Sequence, residues 1–325
     1  MSTNPSAVSG ATPIYPDLDK VETLEDLAGR VQDGAVVAVG GGLSSREPMA
    51  QLRALLRQQV KGLTVVGSAH GIDIDLLCGG GAIVRSGESY VGFEQDFGMA
   101  PNFRRACEAG EVVVDDNCCY TLVQQLRAAI LGLPFMPIRS VRGTDFERLH
   151  PEFKSITCPF TQEPLLLVPA LAPDVALLHV QYADCLGNLR IEGPVVADLL
   201  FAKASKVVLA TAEQIVSTEE LHALGGVTIP YFYTTAVAEV PMGAHPTACY
   251  PFYAYDRPHT AIYYEAAKAG PEVFKATYLQ PFVYGCPSHA DYLERIGGEA
   301  LQTQLGAWSH STESWKSLYC EEVVA

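Results

Sequence analysis

The chain has 325 residues, 48% hydrophobic and 18% charged, a balance that supports a sizeable core and excludes disorder or a coiled coil. Its 22 Lys and Arg against 37 Asp and Glu leave a formal charge of −15, which repels a polyphosphate backbone and argues against nucleic acid as a partner. The nine cysteines, an odd number without a Cys-x-x-Cys pair, read as reduced thiols of a cytoplasmic protein, and no metal site is expected.

Residues 1–19 read as a flexible tail, since Met1 to Pro16 carries no Lys or Arg and no apolar run of signal-peptide length. Thr23 is placed to cap a helix carrying Leu24, Leu27, Ala28 and Val31. Asp33-Gly34 turns into Ala35 to Val39, an apolar run typical of a strand buried on both faces. After Gly40-Gly41-Gly42, Ser44 or Ser45 is expected to cap a second helix with Pro48 in its first turn. Leu63 to Val66 predicts the next strand, ending in Gly67 to Gly71; Tyr90-Val91 and Val112 to Val114 predict two more, with a helix over Phe103 to Glu108 between them. A helix over Thr121 to Leu131 follows, with Cys118 and Cys119 before it read as small core fillers. Leu165 to Val168, Val175 to Val180, Val207 to Ala210 and Ala236 to Val240 are further strands. Pro169, Pro173 and Asp174 break the most apolar stretch, so no membrane span is expected. The alternation predicts an α/β fold with a mainly parallel sheet and flanking helices, one domain over residues 20–325 with a helical C-terminal extension from about residue 270.

Two glycine-rich turns follow consecutive strands and so fall on one edge of such a sheet, where α/β proteins place ligands. In the first, Gly40, Gly41 and Gly42 allow close backbone approach, and the helix start beyond them offers N–H groups to an anion. The spacing is neither Gly-x-Gly-x-x-Gly nor a Walker loop, and a plain strand-to-helix turn is the competing reading. In the second, Gly67-Ser68-Ala69-His70-Gly71, the Ser68 and His70 side chains and free N–H groups are candidate donors to a ligand oxygen on which charge develops, although a lone loop histidine is more often structural.

Asp33-Gly34, an apolar strand, Gly-Gly, and Pro48 seven residues on resemble the N-terminal signature of class I CoA-transferases. The likeness continues through Ser89 to Gly92, Gly110-Glu111-Val112, Gly132 to Arg139, Ala176 to Gln181, Asn188, Ile215 to Glu220, Val240 to Thr247 and His289 to Leu293, covering roughly residues 20 to 300. It is strongest toward the alpha subunits of the glutaconate type, which share an Arg at the position of Arg46. The resemblance implies a CoA-transferase-like fold and an acyl-CoA thioester as substrate, with no permanently bound cofactor. It also implies that the nucleophile is a Glu in a Ser-Glu-Asn-Gly-like motif of the beta half. This chain contains no Glu-Asn-Gly. A partner beta subunit carrying that Glu is therefore expected, in a heterodimer, heterotetramer or larger assembly, and this chain alone is expected to be inactive.

Within that picture the substrate and CoA-binding candidates are Gly40, Gly41, Gly42, Ser44, Arg46, Ser68, His70, Gly71, Phe97 and Gly98. Arg46 is expected to hold the distal carboxylate of a dicarboxylic acyl group by a bidentate pair. Phe93 to Met99 is expected to line the acyl pocket. Relatives of the same fold include a two-subunit CoA-ester ring-opening hydrolase, for which Asp116 or Glu94 would be the base, and a glutaconyl-type CoA decarboxylase. A non-catalytic stabilising subunit is the third alternative.

Overall fold

A computed structural model describes residues 18–310; residues 1–17 of the expected tail lie outside the described residues. In chain order the first half comprises α1 (Leu24–Gly29), β1 (Val36–Val39), α2 (Met49–Arg57), β2 (Leu63–His70), α3 (Ile72–Gly79), β3 (Ile83–Val91), α4 (Glu94–Phe97), α5 (Pro101–Glu108), β4 (Val113–Val114), α6 (Cys119–Ile130) and β5 (Phe135–Ile138). There follow α7 (Phe146–Leu149), β6 (Lys154–Thr157), β7 (Pro164–Pro169), β8 (Val175–Ala183), β9 (Leu189–Arg190), α8 (Asp198–Ala204), β10 (Val207–Ile215), α9 (Thr218–Ala223) and β11 (Ala236–Glu239). The C-terminal part is helical: α10 (Arg257–Lys268), α11 (Pro271–Phe274), a π-helical segment over Lys275–Tyr284, α12 (His289–Ile296) and α13 (Gly298–Ser309).

Seven parallel strands stand in the order β11-β10-β8-β1-β2-β3-β4, with β9 added antiparallel to β8. Val37 registers with Val65 of β2 on one side and Val175 of β8 on the other. The chain thus winds outward in opposite directions from the β1–β8 pair, the topological switch point of the sheet. One face packs Val37, Val39 and Val65 against Leu52 and Leu55 of α2, Leu76 and Leu77 of α3, and Tyr263 and Phe274 of the C-terminal helices. The other packs Ala38, Val66 and Leu178 against Leu122 and Leu126 of α6 and Phe201 of α8.

The stretch Leu165 to Val168 forms β7 as expected but not in the parallel sheet. It is the middle strand of a three-stranded antiparallel sheet, β5-β7-β6, with its own small core of Ile138, Phe153, Leu166 and Val168.

Local chemistry explains the helix starts. Thr23 and Asp26 form a reciprocal capping box at α1. The second helix departs from expectation: neither Ser44 nor Ser45 caps it, because both are held in the preceding loop, and Pro48 takes the N-cap position without a side-chain bond. The α6 helix begins two residues before Thr121, where the Cys118 sulfur accepts the Thr121 N–H at 3.4 Å. Cys118 is therefore a half-buried cap and Cys119 is exposed; neither fills the core. Among the described residues, no helix is long and apolar enough to cross a membrane.

Candidate functional site

The glycine loop after β1 folds on itself. Gly40 N–H donates to the Leu177 carbonyl (2.9 Å), Gly41 N–H to Asp198 Oδ1 (3.2 Å) and Gly42 N–H to the Ser45 carbonyl (2.9 Å). Gly41 has φ +74°, and a Cβ there would strike the Arg46 backbone, so glycine is required. A Cβ at Gly40 would lie 2.6 Å from the Leu178 side chain. These three N–H groups are engaged within the chain, and so is the helix start expected to meet an anion: the Glu47 N–H donates to Thr247 Oγ1 (3.3 Å) and the Ala50 N–H to the Gly243 carbonyl (2.8 Å).

Arg46 departs from expectation in the same way. Its side chain is buried, and its fork is taken by Asp198, Nη1 to Oδ1 at 2.9 Å and Nη2 to Oδ2 at 3.1 Å. Nη2 also donates to the Pro194 carbonyl (2.8 Å) and Nη1 to the His179 carbonyl (3.3 Å). No fork is left for a substrate carboxylate. The Arg46–Asp198 pair instead fills the crevice beside the β1–β8 switch point and locks the glycine loop to α8.

The open space lies one strand over. A cavity of about 550 Å³ sits at the carboxyl ends of β1, β2 and β3. Leu43 and Ser44 line it from the first loop, Gly71 and Ile72 from the second, and Gly92, Phe93, Glu94 and Asp96 from the third. Thr247, Tyr255 and Thr260 close it from the C-terminal part. Of the expected site residues, Ser44, Gly71 and Glu94 thus share one cavity. Phe97 stands behind its wall, stacked on Tyr264 with ring centroids 5.2 Å apart, and Gly98 (φ +83°) makes the turn that ends α4. Arg257 Nε holds Asp96 at 2.6 Å and the guanidinium lies over the Phe97 ring, fixing this rim.

Beneath the cavity floor is a buried ionisable cluster. His70 Nδ1 meets Asp73 Oδ2 at 2.5 Å, and His70 Nε2 stands 3.7 Å from Glu88 Oε2. Asp73 Oδ1 accepts the N–H groups of Gly71 (2.9 Å) and Ile74 (2.8 Å), which fixes the start of α3. Glu47 joins them, fully buried. Gly67 makes the approach possible, since a Cβ there would collide with both the Glu88 carboxylate and the His70 ring. Burial opposes the charged imidazole of His70, but the Asp73 and Glu88 carboxylates outweigh it and lift its pKa to about 9. Burial lifts Glu88 to about 7 against the pull of His70, and burial with the neighbouring Asp73 carboxylate pushes Glu47 well above its ordinary range.

Two expected residues lie elsewhere. Ser68 Oγ donates to Cys119 Sγ at 3.3 Å, on the α6 side of the sheet. Asp116 (φ +42°) lines a second cavity of about 550 Å³ with Arg85, Asn117, His150 and Glu152, and its carbonyl faces His150 Nε2 at 3.3 Å. Asp116 and Glu94 therefore do not serve one site. The sequence reading missed Glu47, Asp198 and Glu88. Glu47 carries a local signal, a charged residue between Arg46 and Pro48 just before an apolar helix. Asp198 and Glu88 carry none, because only tertiary structure brings them in, the β2–β3 register for Glu88 and the packing of α8 on β1 and β8 for Asp198.

A family model described as coenzyme A transferase matches residues 21–239. The A subunit of glutaconate CoA-transferase from Acidaminococcus fermentans is 33% identical over 87% of this chain and 94% of its own length. The crystal structure of that enzyme superposes with a TM-score of 0.81 at 32% identity, covering 88% of this chain and 94% of the other. The IpdA subunit of a cholesterol ring-cleaving hydrolase from Rhodococcus jostii is 35% identical over 80% of this chain and 93% of its length. An uncharacterized Archaeoglobus fulgidus protein is 36% identical over 88% of this chain, which spans only 64% of that longer protein.

Proposed function

The chain belongs to the coenzyme A transferase family, and from that premise we propose that it is the alpha subunit of a heteromeric enzyme that moves CoA between short dicarboxylic acyl groups. The observation that carries this reading is the end-to-end likeness, in sequence and fold, to the A subunit of glutaconate CoA-transferase. The dicarboxylic substrate rests on that relative's name, since Arg46 is engaged by Asp198. The acyl-CoA thioester would be a substrate, with no resident cofactor. Because the chain lacks a Glu-Asn-Gly sequence, a second subunit would provide the carboxylate that attacks the thioester and carries CoA as a glutamyl thioester. This chain would supply one wall of the reaction space, the cavity at the carboxyl ends of β1 to β3. Ser44, Gly71 and Glu94 face it, and the rigid loops behind it keep it shaped.

A second reading has its own support in the 35% identity to the ring-cleaving hydrolase subunit. There Glu94, exposed at the cavity, would be the acidic residue of interest; Asp116 lines the other cavity.

The test is co-expression with the second subunit, incubation with an acyl-CoA, and trapping with hydroxylamine or borohydride. Transfer predicts CoA exchange to an added carboxylate acceptor, modification of one partner Glu by mass spectrometry, and no turnover by this chain alone. Release of free CoA or ring-opened product without partner modification, abolished in Glu94→Gln, would replace transfer by hydrolysis.

A further inference from the structure

Each of the three loops that wall the cavity carries a buried ionisable side chain beneath it. Glu47 comes from the loop after β1, His70 from the end of β2 with Asp73 in the first turn of α3, and Glu88 from β3. The backbone already stitches these walls together: Leu43 N–H donates to the Ala69 carbonyl (3.0 Å) and Gly92 N–H to the His70 carbonyl (2.9 Å). His70 is therefore the residue through which the middle wall, Gly71 and Ile72, meets the third. Its ring faces a carboxylate at each nitrogen, Asp73 Oδ2 at Nδ1 (2.5 Å) and Glu88 Oε2 at Nε2 (3.7 Å). Acceptors at both nitrogens are the surroundings of an imidazolium, which is a donor at both.

None of these four side chains lines the cavity, so they reach it through shape and charge. Asp73 is taken up by His70 and by the Gly71 and Ile74 N–H groups. Glu47 leans on the same turn, against the Gly71 and Asp73 N–H groups and the Asp73 carboxyl, and its burial favours the neutral acid. The field of Asp198 on α8 also reaches His70, with Arg46 bound to that carboxylate. Glu88 is the unanchored member: both its oxygens are buried without a hydrogen-bond partner, and the cation acting on it is His70. Its charge can therefore change while the others keep theirs. With Glu88 protonated, His70 and Asp73 cancel; with Glu88 ionised, the wall stands over a net negative charge. Burial lifts Glu88 to about 7 against the pull of His70, so both states lie near neutrality.

We propose that His70 and Glu88 are positioning residues for the reaction at this cavity: the imidazole braces the Gly71–Ile72 wall from beneath, and the charge of the His70–Glu88 pair sets the potential against which negative charge builds on the thioester oxygen. The inference rests on the proposed function for the identity of that step, and transfer and hydrolysis both build that charge. A fixed cation under the wall favours the transition state over the bound thioester, because only the transition state carries the extra negative charge. An ionised Glu88 opposes it. Neither residue touches the substrate, so the effect falls on kcat and leaves KM.

The experiment uses the full-length chain assembled with its co-expressed second subunit and follows CoA exchange, or CoA release if that is the turnover found, across neutral pH. Wild-type kcat should fall as pH rises through about 7, with KM for the acyl-CoA steady. Glu88→Gln keeps the shape and removes the acid; it should flatten that limb and hold kcat near the value the wild type shows in acid. His70→Gln should lower kcat about tenfold. It should also move the limb to higher pH, because the pull that holds Glu88 down is lost. A residue that only stabilises the fold would lower kcat alike at every pH. Superposable profiles for wild type and Glu88→Gln would overturn the proposal, and so would a limb that stays in place in His70→Gln. Should His70→Gln fail to fold, Glu88→Gln decides alone. Infrared difference spectra of the assembly between acid and alkaline samples read the same proton without turnover. A protonated-carboxyl band that disappears as pH rises through 7 is expected in the wild type and absent in Glu88→Gln. The same band unchanged in Glu88→Gln would assign the proton to another acid and overturn the proposal. An assembly that shows the band and releases CoA without exchanging it would sink the transfer reading and leave His70 and Glu88 in place for hydrolysis.

Discussion

Arg46 shows how a residue that looks made for a ligand can be consumed by its own fold. Asp198 is fully buried and, besides the guanidinium, accepts the Gly41 N–H, so the ion pair and the glycine turn are one unit. Removing one member of a buried pair strands the other charge, which costs about 3–5 kcal/mol, far more than the pair adds over apolar packing. Arg46→Ala should therefore lower the urea midpoint sharply, and Asp198→Asn should do so comparably. The double variant should lose less than the sum. In turnover assays, the loss in Arg46→Ala should be equal for a diacid and a monoacid of similar length, because the guanidinium acts through the loop. A loss confined to the diacid would show that it leaves Asp198 to meet substrate, restoring the role its place beside the glycines suggests.

At the scale of elements, the C-terminal helices are fastened to α2, α3 and the loop after β11 by buried polar side chains. His259 of α10 faces His245, Asp256 and Arg53, and its Nε2 meets the Tyr278 hydroxyl of the π-helical segment at 3.0 Å. Burial, with His245 and Arg53 nearby, drops its pKa from 6.5 to about 3, despite Asp256. The unfolded chain therefore binds a proton below about pH 6.5 that the folded chain refuses until about pH 3, and stability falls with acid across that window. His259 alone supplies a slope of about 1.4 kcal/mol per pH unit at most. Denaturant midpoints at pH 6.5, 5.5 and 4.5 should fall steadily in the wild type and more gently in His259→Gln; parallel slopes would exclude His259 as the source. The Asp73 and Asp75 of α3 show why such fastening is hidden in the sequence. Ile72-Asp73-Ile74-Asp75 alternates like a strand end and predicts no helix, yet Asp75 is buried and satisfied by Tyr263 and Asn102 from distant elements. Lys154–Thr157 is exposed throughout and offers no pattern at all. Strands buried on both faces are legible because burial forces continuous apolar runs, and the glycine loop after β1 is legible because a tight turn demands glycine. Gly67 to His70, expected as a second turn, instead continues β2, where Gly67 makes room for the Glu88 and His70 side chains. Which N–H groups the first loop keeps free is not legible, since their acceptors arrive from as far as Asp198.

For the whole molecule, the unexplained surface is the outer face of the three-stranded sheet. The register puts Met136 with Val168 and Ile138 with Leu166 on the inner face, where they pack with Phe153. The opposite face then carries Phe135, Pro137, Leu165, Leu167 and Ile156. Phe135 and Ile156 are each 41% exposed, and Phe160 in the β6–β7 turn is 92% exposed. An apolar sheet face left to water marks an interaction surface, and short strands alone do not protect it. The proposed function already requires a second subunit, and permanent complexes bury more than about 2,000 Å² of largely apolar surface. We expect this face to lie in that interface. A charge placed at its centre would be desolvated without a partner on assembly, while in the isolated chain it would stay hydrated. Phe135→Asp and Ile156→Asp should therefore each weaken co-assembly about tenfold or more, the scale of an interface hot spot, and leave the chain's own unfolding midpoint nearly unchanged. The measurement is sedimentation of the co-expressed subunits beside denaturation of this chain alone. Full assembly by the doubly charged variant would place the second subunit on another face and leave this sheet with a different occupant.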